Sequence, residues 1–293
     1  MKRFFFCIAF IIAVALPVFT HARAEKVLLQ YRQDVGETFK YRMEVDGALT
    51  FEQLSGWVKG EKGKPKTIAM RKGFDSSAEV VSRSDEQMDV VYRFGKCFRE
   101  ETRGGKTRKK EIDLGGEDIK IKMWPDGRTE VENIGALEKA YRKNKTPYVE
   151  EPFLTVLPGK PVKVGATWKQ KVTRRGLFLQ GEPVTYKIRY KLARIEEYEG
   201  ARCAVIEGYG KLKLKDYQAA TRKGKKVVIE KAVEEMNSVI YFDIEQGTPI
   251  EIRRTITRNE VREWEAKGGK EPYKDELKTD VKITVSLVGA EKK

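Results

Sequence analysis

Hydrophobic and polar residues alternate with period two over most of this chain. Phe39, Tyr41, Met43 and Val45 share one parity while Lys40, Arg42, Glu44 and Asp46 take the other. Tyr186, Ile188, Tyr190 and Leu192 alternate with Lys187, Arg189 and Lys191, and Leu277 to Leu287 repeats the pattern near the end. Successive side chains of a strand point to opposite faces, so each run predicts a strand with one apolar and one charged face. Strands of this kind belong to antiparallel sheets wetted on one side; parallel sheets covered by helices read as continuous apolar runs.

The breaks between the runs carry turn chemistry. Pro125-Asp126-Gly127 separates Ile119, Ile121 and Met123 from Val131, and Glu245-Gln246-Gly247 separates Val239–Ile244 from Ile250, Ile252 and Ile256, predicting two hairpins. Gly- and Lys-rich stretches at 56–66, 103–110, 222–226 and 266–271 read as exposed hairpin ends. Val35-Gly36-Glu37-Thr38-Phe39-Lys40 is matched by Val164-Gly165-Ala166-Thr167-Trp168-Lys169, and the features after each follow in the same order. This predicts an internal duplication. Between the copies, Leu137, Ala140 and Tyr141 fall at helical spacing within Ile134–Lys143, and a proline-interrupted connector follows. The expected fold is therefore mainly β: two tandem antiparallel β-meander halves, at 25–133 and 156–293, forming curved sheets or a half-barrel. One short linking helix and its connector occupy 134–155.

The first 24 residues change the picture. Lys2 and Arg3 precede an apolar run from Phe4 to Phe19, and Ala22-Arg23-Ala24 supplies a small-x-small cleavage site. That is the layout of a signal peptide, so a periplasmic or secreted protein beginning at Glu25 is expected, with no transmembrane span in the mature form. His21, the only histidine of the 293 residues, leaves with the signal. The commonest general base and metal ligand is then missing from the mature chain. Of three cysteines Cys97 and Cys203 remain, and an oxidising compartment permits a disulfide between them.

Lys and Arg number 59 against 44 Asp and Glu, a net charge of +15. For an exported chain this points to an anionic envelope component (lipid, lipopolysaccharide or acidic glycan) or another envelope protein as partner, and not to a specific nucleic acid. Two basic segments, with Arg103, Lys106, Arg108, Lys109 and Lys110 in one and Arg222, Lys223, Lys225 and Lys226 in the other, fall at equivalent places in the two halves. They are the candidate anion-binding residues, set against their simpler use as lysine-guarded sheet ends.

No G-x-S-x-G elbow, Ser-x-x-Lys, Cys-x-x-Cys or histidine-based zinc site is present, so no catalytic residue, metal or cofactor is assigned. Carboxylates alone suffice for glycoside hydrolysis. Glu234, Glu235, Asp243 and Glu245 form the densest acidic group near predicted strands. Salt bridging to the abundant lysines is their simpler use. Trp168 lies on an alternating strand and suits a core, whereas Trp57 and Trp264 border Gly/Lys loops and suit exposed contacts.

The segment Leu157–Trp168, with the later Phe242-Asp243-Ile244-Glu245-Gln246-Gly247-Thr248-Pro249-Ile250, resembles exported bacterial β-rich proteins of uncharacterised families, which share an LP-x-x-x-V-x-V-G-x-x-W start and an F-D-x-x-x-G-x-P hairpin. That resemblance carries no catalytic residue. The expected architecture also resembles the periplasmic lipoprotein carriers, whose curved antiparallel sheet wraps a helix and shelters acyl chains. Three functions follow as expectations: a non-catalytic envelope protein binding or scaffolding on an apolar concave face, a carboxylate-dependent glycan hydrolase, or a structural protein-interaction module.

Overall fold

Long alternating runs with glycine turns pair locally, and here they pair into one continuous antiparallel sheet. The computed structural model describes residues 25–55, 65–113, 118–133, 155–174, 179–181, 183–221, 226–265 and 272–292. Its strands are β1 (Lys26–Val27), β2 (Glu37–Ser55), β3 (Lys66–Arg83), β4 (Met88–Arg103), β5 (Lys106–Asp113), β6 (Ile119–Met123), β7 (Thr129–Val131), β8 (Val162–Lys163), β9 (Thr167–Arg174), β10 (Leu179–Gly181), β11 (Val184–Tyr198), β12 (Ala201–Thr221), β13 (Lys226–Asp243), β14 (Thr248–Trp264) and β15 (Tyr273–Lys292). The described residues hold no helix. The expected helix at 134–143 lies outside them.

The 13-stranded sheet runs β7-β6-β4-β3-β2-β15-β14-β13-β12-β11-β9, with β5 folded back on β4 and β10 on β12. Its two meanders join through β15, which pairs along β2 from Lys274↔Ser55 to Lys292↔Glu37. The mainly β, antiparallel meander expected from the alternation is what forms. It does not close, since β7 and β9 remain the two ends of the order.

Curvature follows from Tyr31. Six strand steps separate β6 from β13, about 29 Å on a flat sheet at 4.8 Å per strand. Yet the Tyr31 amide donates to Pro125 O at 2.8 Å in the β6–β7 turn, while its ring meets Phe242 of β13 edge-on at 5.4 Å. One tyrosine spans what a flat sheet would hold far apart, so the sheet curls around the segment leading into β2. Leu29 and Tyr31 are buried within this curl.

The same segment bridges the open seam at one end. β1 pairs with β8, just before edge strand β9, and the Leu157 amide donates to Asp126 O at 2.7 Å beside edge strand β7. Two turn glycines accept the packing. Gly127 and Gly247 have φ of 81° and 65°, and a Cβ on either would lie within 2.8 Å of Tyr31 and Thr155 or of Gln30 and Arg32. Gly36 and Gly165, in the matched motifs, have φ of 84° and 88° and precede the first long strand of each meander. Phe39 is the third residue of β2 in mid-sheet, and Trp168 the second of edge strand β9.

Candidate ligand-binding face

Paired residues in antiparallel strands point the same way, so the register defines rows that cross the inner face of the curl. One row reads Cys97, Phe74, Met43, Val285, Ile252, Ile240, Ile206, Leu192 across eight strands. None is more than 3% exposed. These side chains belong to the main hydrophobic core of the described residues, and each full burial of a Val, Leu, Ile, Phe or Met contributes roughly 1.5–3 kcal/mol to folding.

Two residues further along each strand, the next inner row reads Arg99, Lys72, Val45, Ile283, Arg254, Ser238, Gly208, Tyr190, Trp168. Three cations and no carboxylate lie on it. Arg99 pairs with Glu101 of its own strand. Lys72 is 1% exposed, and burial, with the Arg99 charge beside it, pushes its ammonium down to about 8. At the other end Trp168 stacks on Tyr190 with ring centroids 5.8 Å apart, and the Tyr190 hydroxyl donates to Gln170 Oε1 at 3.1 Å. Burial raises the pKa of Tyr190.

A third row, Met70, Gly47, Val281, Ile256, Met236, Gly210, Ile188, is apolar again. Beyond it the inner face of β13, β14 and β15 carries an ionic ladder. Arg258 donates to Glu234 at 3.2 Å and to Glu260 at 2.8 Å, and Arg262 grips Asp275 in a fork at 2.8 and 2.9 Å. Phe51 and Trp264 lie under the Arg262 guanidinium at 5.7 and 5.1 Å, and Trp264 stacks on Tyr273. Both guanidiniums of this ladder are matched by Glu234, Glu260 and Asp275, so it fixes the wall and leaves no cation there without a counter-charge.

The outer face has its own smaller cluster of Cys203, Val205, Tyr241 and Ile250. Tyr198 stacks on Tyr241 at 3.9 Å, with Arg253 over the Tyr241 ring. Near it an open cleft of about 560 Å³ is lined by Glu196, Glu197, Arg202, Asp243 and Glu245.

Several expected groupings change. Cys97 and Cys203 are both buried and not disulfide-bonded, six strands apart on opposite faces, so the disulfide that the compartment permits is not present. The Arg103–Lys110 stretch is not a loop: only Gly104 and Gly105 turn, and Lys106, Arg108, Lys109 and Lys110 sit on the paired β4–β5 ribbon, with Lys109 bonded to Glu100. Arg103 closes that ribbon and Lys226 opens β13 at the same end of the sheet. Arg222, Lys223 and Lys225 lie outside the described residues. Glu234 and Glu235 are adjacent on one strand and face opposite ways, one into the ionic ladder, the other to Lys211. Only Asp243 and Glu245 come together, and there Asp243 accepts the amides of Glu245 and Gln246 at 2.8 and 2.9 Å, which makes it the turn-former of the hairpin. Trp264 is an inner-face residue packed on Tyr273 and Arg262, not a loop contact, and Trp57 lies outside the described residues.

The inner-face cations Lys72, buried, and Arg254, half-buried, were missed in the alternation. The available signal was phase: Lys72 shares parity with Met70 and Phe74, and Arg254 with Ile252 and Ile256.

No known protein family matches the chain, and no curated protein does. Two solved structures align over 87% of it: OmpF of Salmonella typhi in complex with daunomycin, with 6% identity over all of that chain and a TM-score of 0.25, and an outer membrane channel of Pseudomonas putida F1, with 8% identity over 97% of that chain and a TM-score of 0.24. Scores at this level define no shared fold. No helix among the described residues is long and apolar enough to cross a membrane.

Proposed function

We propose that this is an exported envelope protein that acts by binding and not by catalysis, and that the inner face of the curled sheet takes an apolar, lipid-like ligand. The observation that carries the reading is the unbroken apolar row from Cys97 to Leu192, with a second apolar row four residues along each strand. A concave wall of this kind suits a flexible hydrocarbon chain, which needs dispersion contact and no directional partner. The resemblance of the 157–168 and 242–250 segments to exported bacterial β-rich proteins supports the location. The likeness in architecture to the lipoprotein carriers supports the class of ligand.

Native mass spectrometry of the chain purified from the envelope of its own host tests the reading. A mass beginning at Glu25 with a dissociable acyl-chain adduct is the expected result. A bare chain from every detergent-free preparation contradicts ligand binding, and an intact Met1 contradicts cleavage.

A further inference from the structure

The two sides of the β4–β5 ribbon treat their charges differently. On the outer side Lys109 is bonded to Glu100, and Lys96 reaches Glu111 at 3.8 Å. The inner side, which shares the parity of Cys97, carries Arg99, Arg103, Lys106, Arg108 and Lys110 against one carboxylate, Glu101, and Arg99 already holds it. Arg103, Lys106, Arg108 and Lys110 are exposed and make no ion pair among the described residues. The register even sets like charges directly opposite each other. Arg103 faces Lys106, and Lys72, Arg99 and Lys110 form one row across three strands. Like charges so placed destabilise a sheet, and the Lys109–Glu100 pair shows that the same ribbon accommodates the favourable arrangement. The opposite end of the sheet has the other sign: the β3–β4, β11–β12 and β13–β14 turns hold Asp85, Glu86, Glu199 and Glu245 and no lysine or arginine.

We propose that the inner side of the β4–β5 ribbon is a docking surface for anionic lipid head groups, with Lys106, Arg108 and Lys110 as its main contacts to their phosphates. Among the described residues no strand lies beyond β5, so this side stays open to a partner. The cations spread over about 14 Å along the strands, from Arg99 to Arg103, and cannot converge on one small anion. A surface bearing many charges meets all of them at once, at about fivefold in partitioning per cation. Docked this way, the acidic turns stand off by the length of β4, about 50 Å of strand and several Debye lengths at about 0.1 M salt. Nothing in this docking requires a ligand on the apolar wall.

Sedimentation of the mature chain at low salt tests this, with vesicles of mixed phosphatidylglycerol and phosphatidylcholine and with vesicles of phosphatidylcholine alone. Binding to the first and not to the second is expected. Combining Lys106→Ser, Arg108→Ser and Lys110→Ser should cost about a hundredfold in partitioning, three fivefold steps. Combining Lys96→Ser, Lys109→Ser and Lys213→Ser removes the same charge from the outer side and should cost at most about fivefold. The inner triple also relieves two like-charge pairs, so its urea midpoint should be no lower than the parent's. Equal losses in the two triples, a lower midpoint in the inner one, or equal binding to both vesicles overturns the docking surface. Displacement by a soluble polyuronate at a lower charge concentration than the lipid also overturns it, and assigns the ribbon to an acidic glycan.

Discussion

Replacing Gly247 with alanine tests how the curl is plugged. Gly247 sits in the β13–β14 turn with φ 65°, and a Cβ there would lie 2.6 Å from Arg32 N and 2.7 Å from Gln30 O. These are backbone atoms and cannot swing aside, so the segment entering β2 must lift away. Two hydrogen bonds to Gly247 O would go with it, from Gln33 Nε2 at 2.8 Å and Arg32 N at 3.4 Å, at about 1 kcal/mol each. Partial exposure of Leu29 and Tyr31 adds to this, since full exposure of one such side chain costs roughly 1.5–3 kcal/mol. The left-handed backbone adds roughly 1–2 kcal/mol for any L-residue. Gly200→Ala isolates that last part, because Gly200 has φ 79° and nothing within 4 Å of its Cβ position. Urea unfolding of the two variants, followed by tryptophan fluorescence, should show Gly247→Ala less stable than Gly200→Ala by at least about 2 kcal/mol. Equal losses would refute the docking of residues 25–33 against this turn.

Three further outcomes follow from the buried groups and the basic ribbon. Lys72 is held at about 8 against an ordinary 10.5, so the unfolded chain binds an extra proton between those values and stability should rise as pH goes from 8 to 10.5, by up to about 3 kcal/mol. Urea midpoints at both ends of that window should show the rise in the parent and lose it in Lys72→Met; an identical rise in both would refute the assignment. Burial raises the thiol pKa of both Cys97 and Cys203, the latter to about 11, so two thiols should react with Ellman's reagent only after denaturation, and an intact mass that increases on reduction would contradict this. Replacing Lys106, Arg108, Lys109 and Lys110 with serine should weaken sedimentation with anionic vesicles at low salt, where charges about 10 Å apart still act at about 0.1 M; unchanged sedimentation would assign the ribbon to sheet-end protection alone.

What was legible in the chain was local. The parity of Phe39 to Val45 and of Tyr186 to Leu192 marks strands because side-chain alternation is a property of each strand alone, and Gly127 and Gly247 mark turns because only glycine takes a positive φ cheaply. The pairing of β15 with β2 was not legible: it joins residues some 240 positions apart, and nothing in either strand names its partner. Lys72, Arg254, Arg258 and Arg262 were read past because a basic residue in a basic chain looks like solvent-facing charge. Their parity matched that of buried neighbours, but only the curl turns that parity into an inner face. The 103–110 stretch shows the opposite error. Its glycines and lysines suggested a loop, while the Thr102↔Thr107 pairing, with hydroxyls 2.8 Å apart, extends the ribbon to a two-glycine turn.

The claim that the inner face is the binding face is tested most directly by quenching. Trp168 ends the row that holds Arg254 and stacks on Tyr190, so in a chain with Trp57, Trp124 and Trp264 replaced by phenylalanine it reports that face alone. Titration with a decanoate brominated along its chain should quench Trp168 emission in step with calorimetric binding. Binding without quenching of Trp168, or quenching confined to a chain that retains only Trp124, would place the ligand elsewhere and contradict the account.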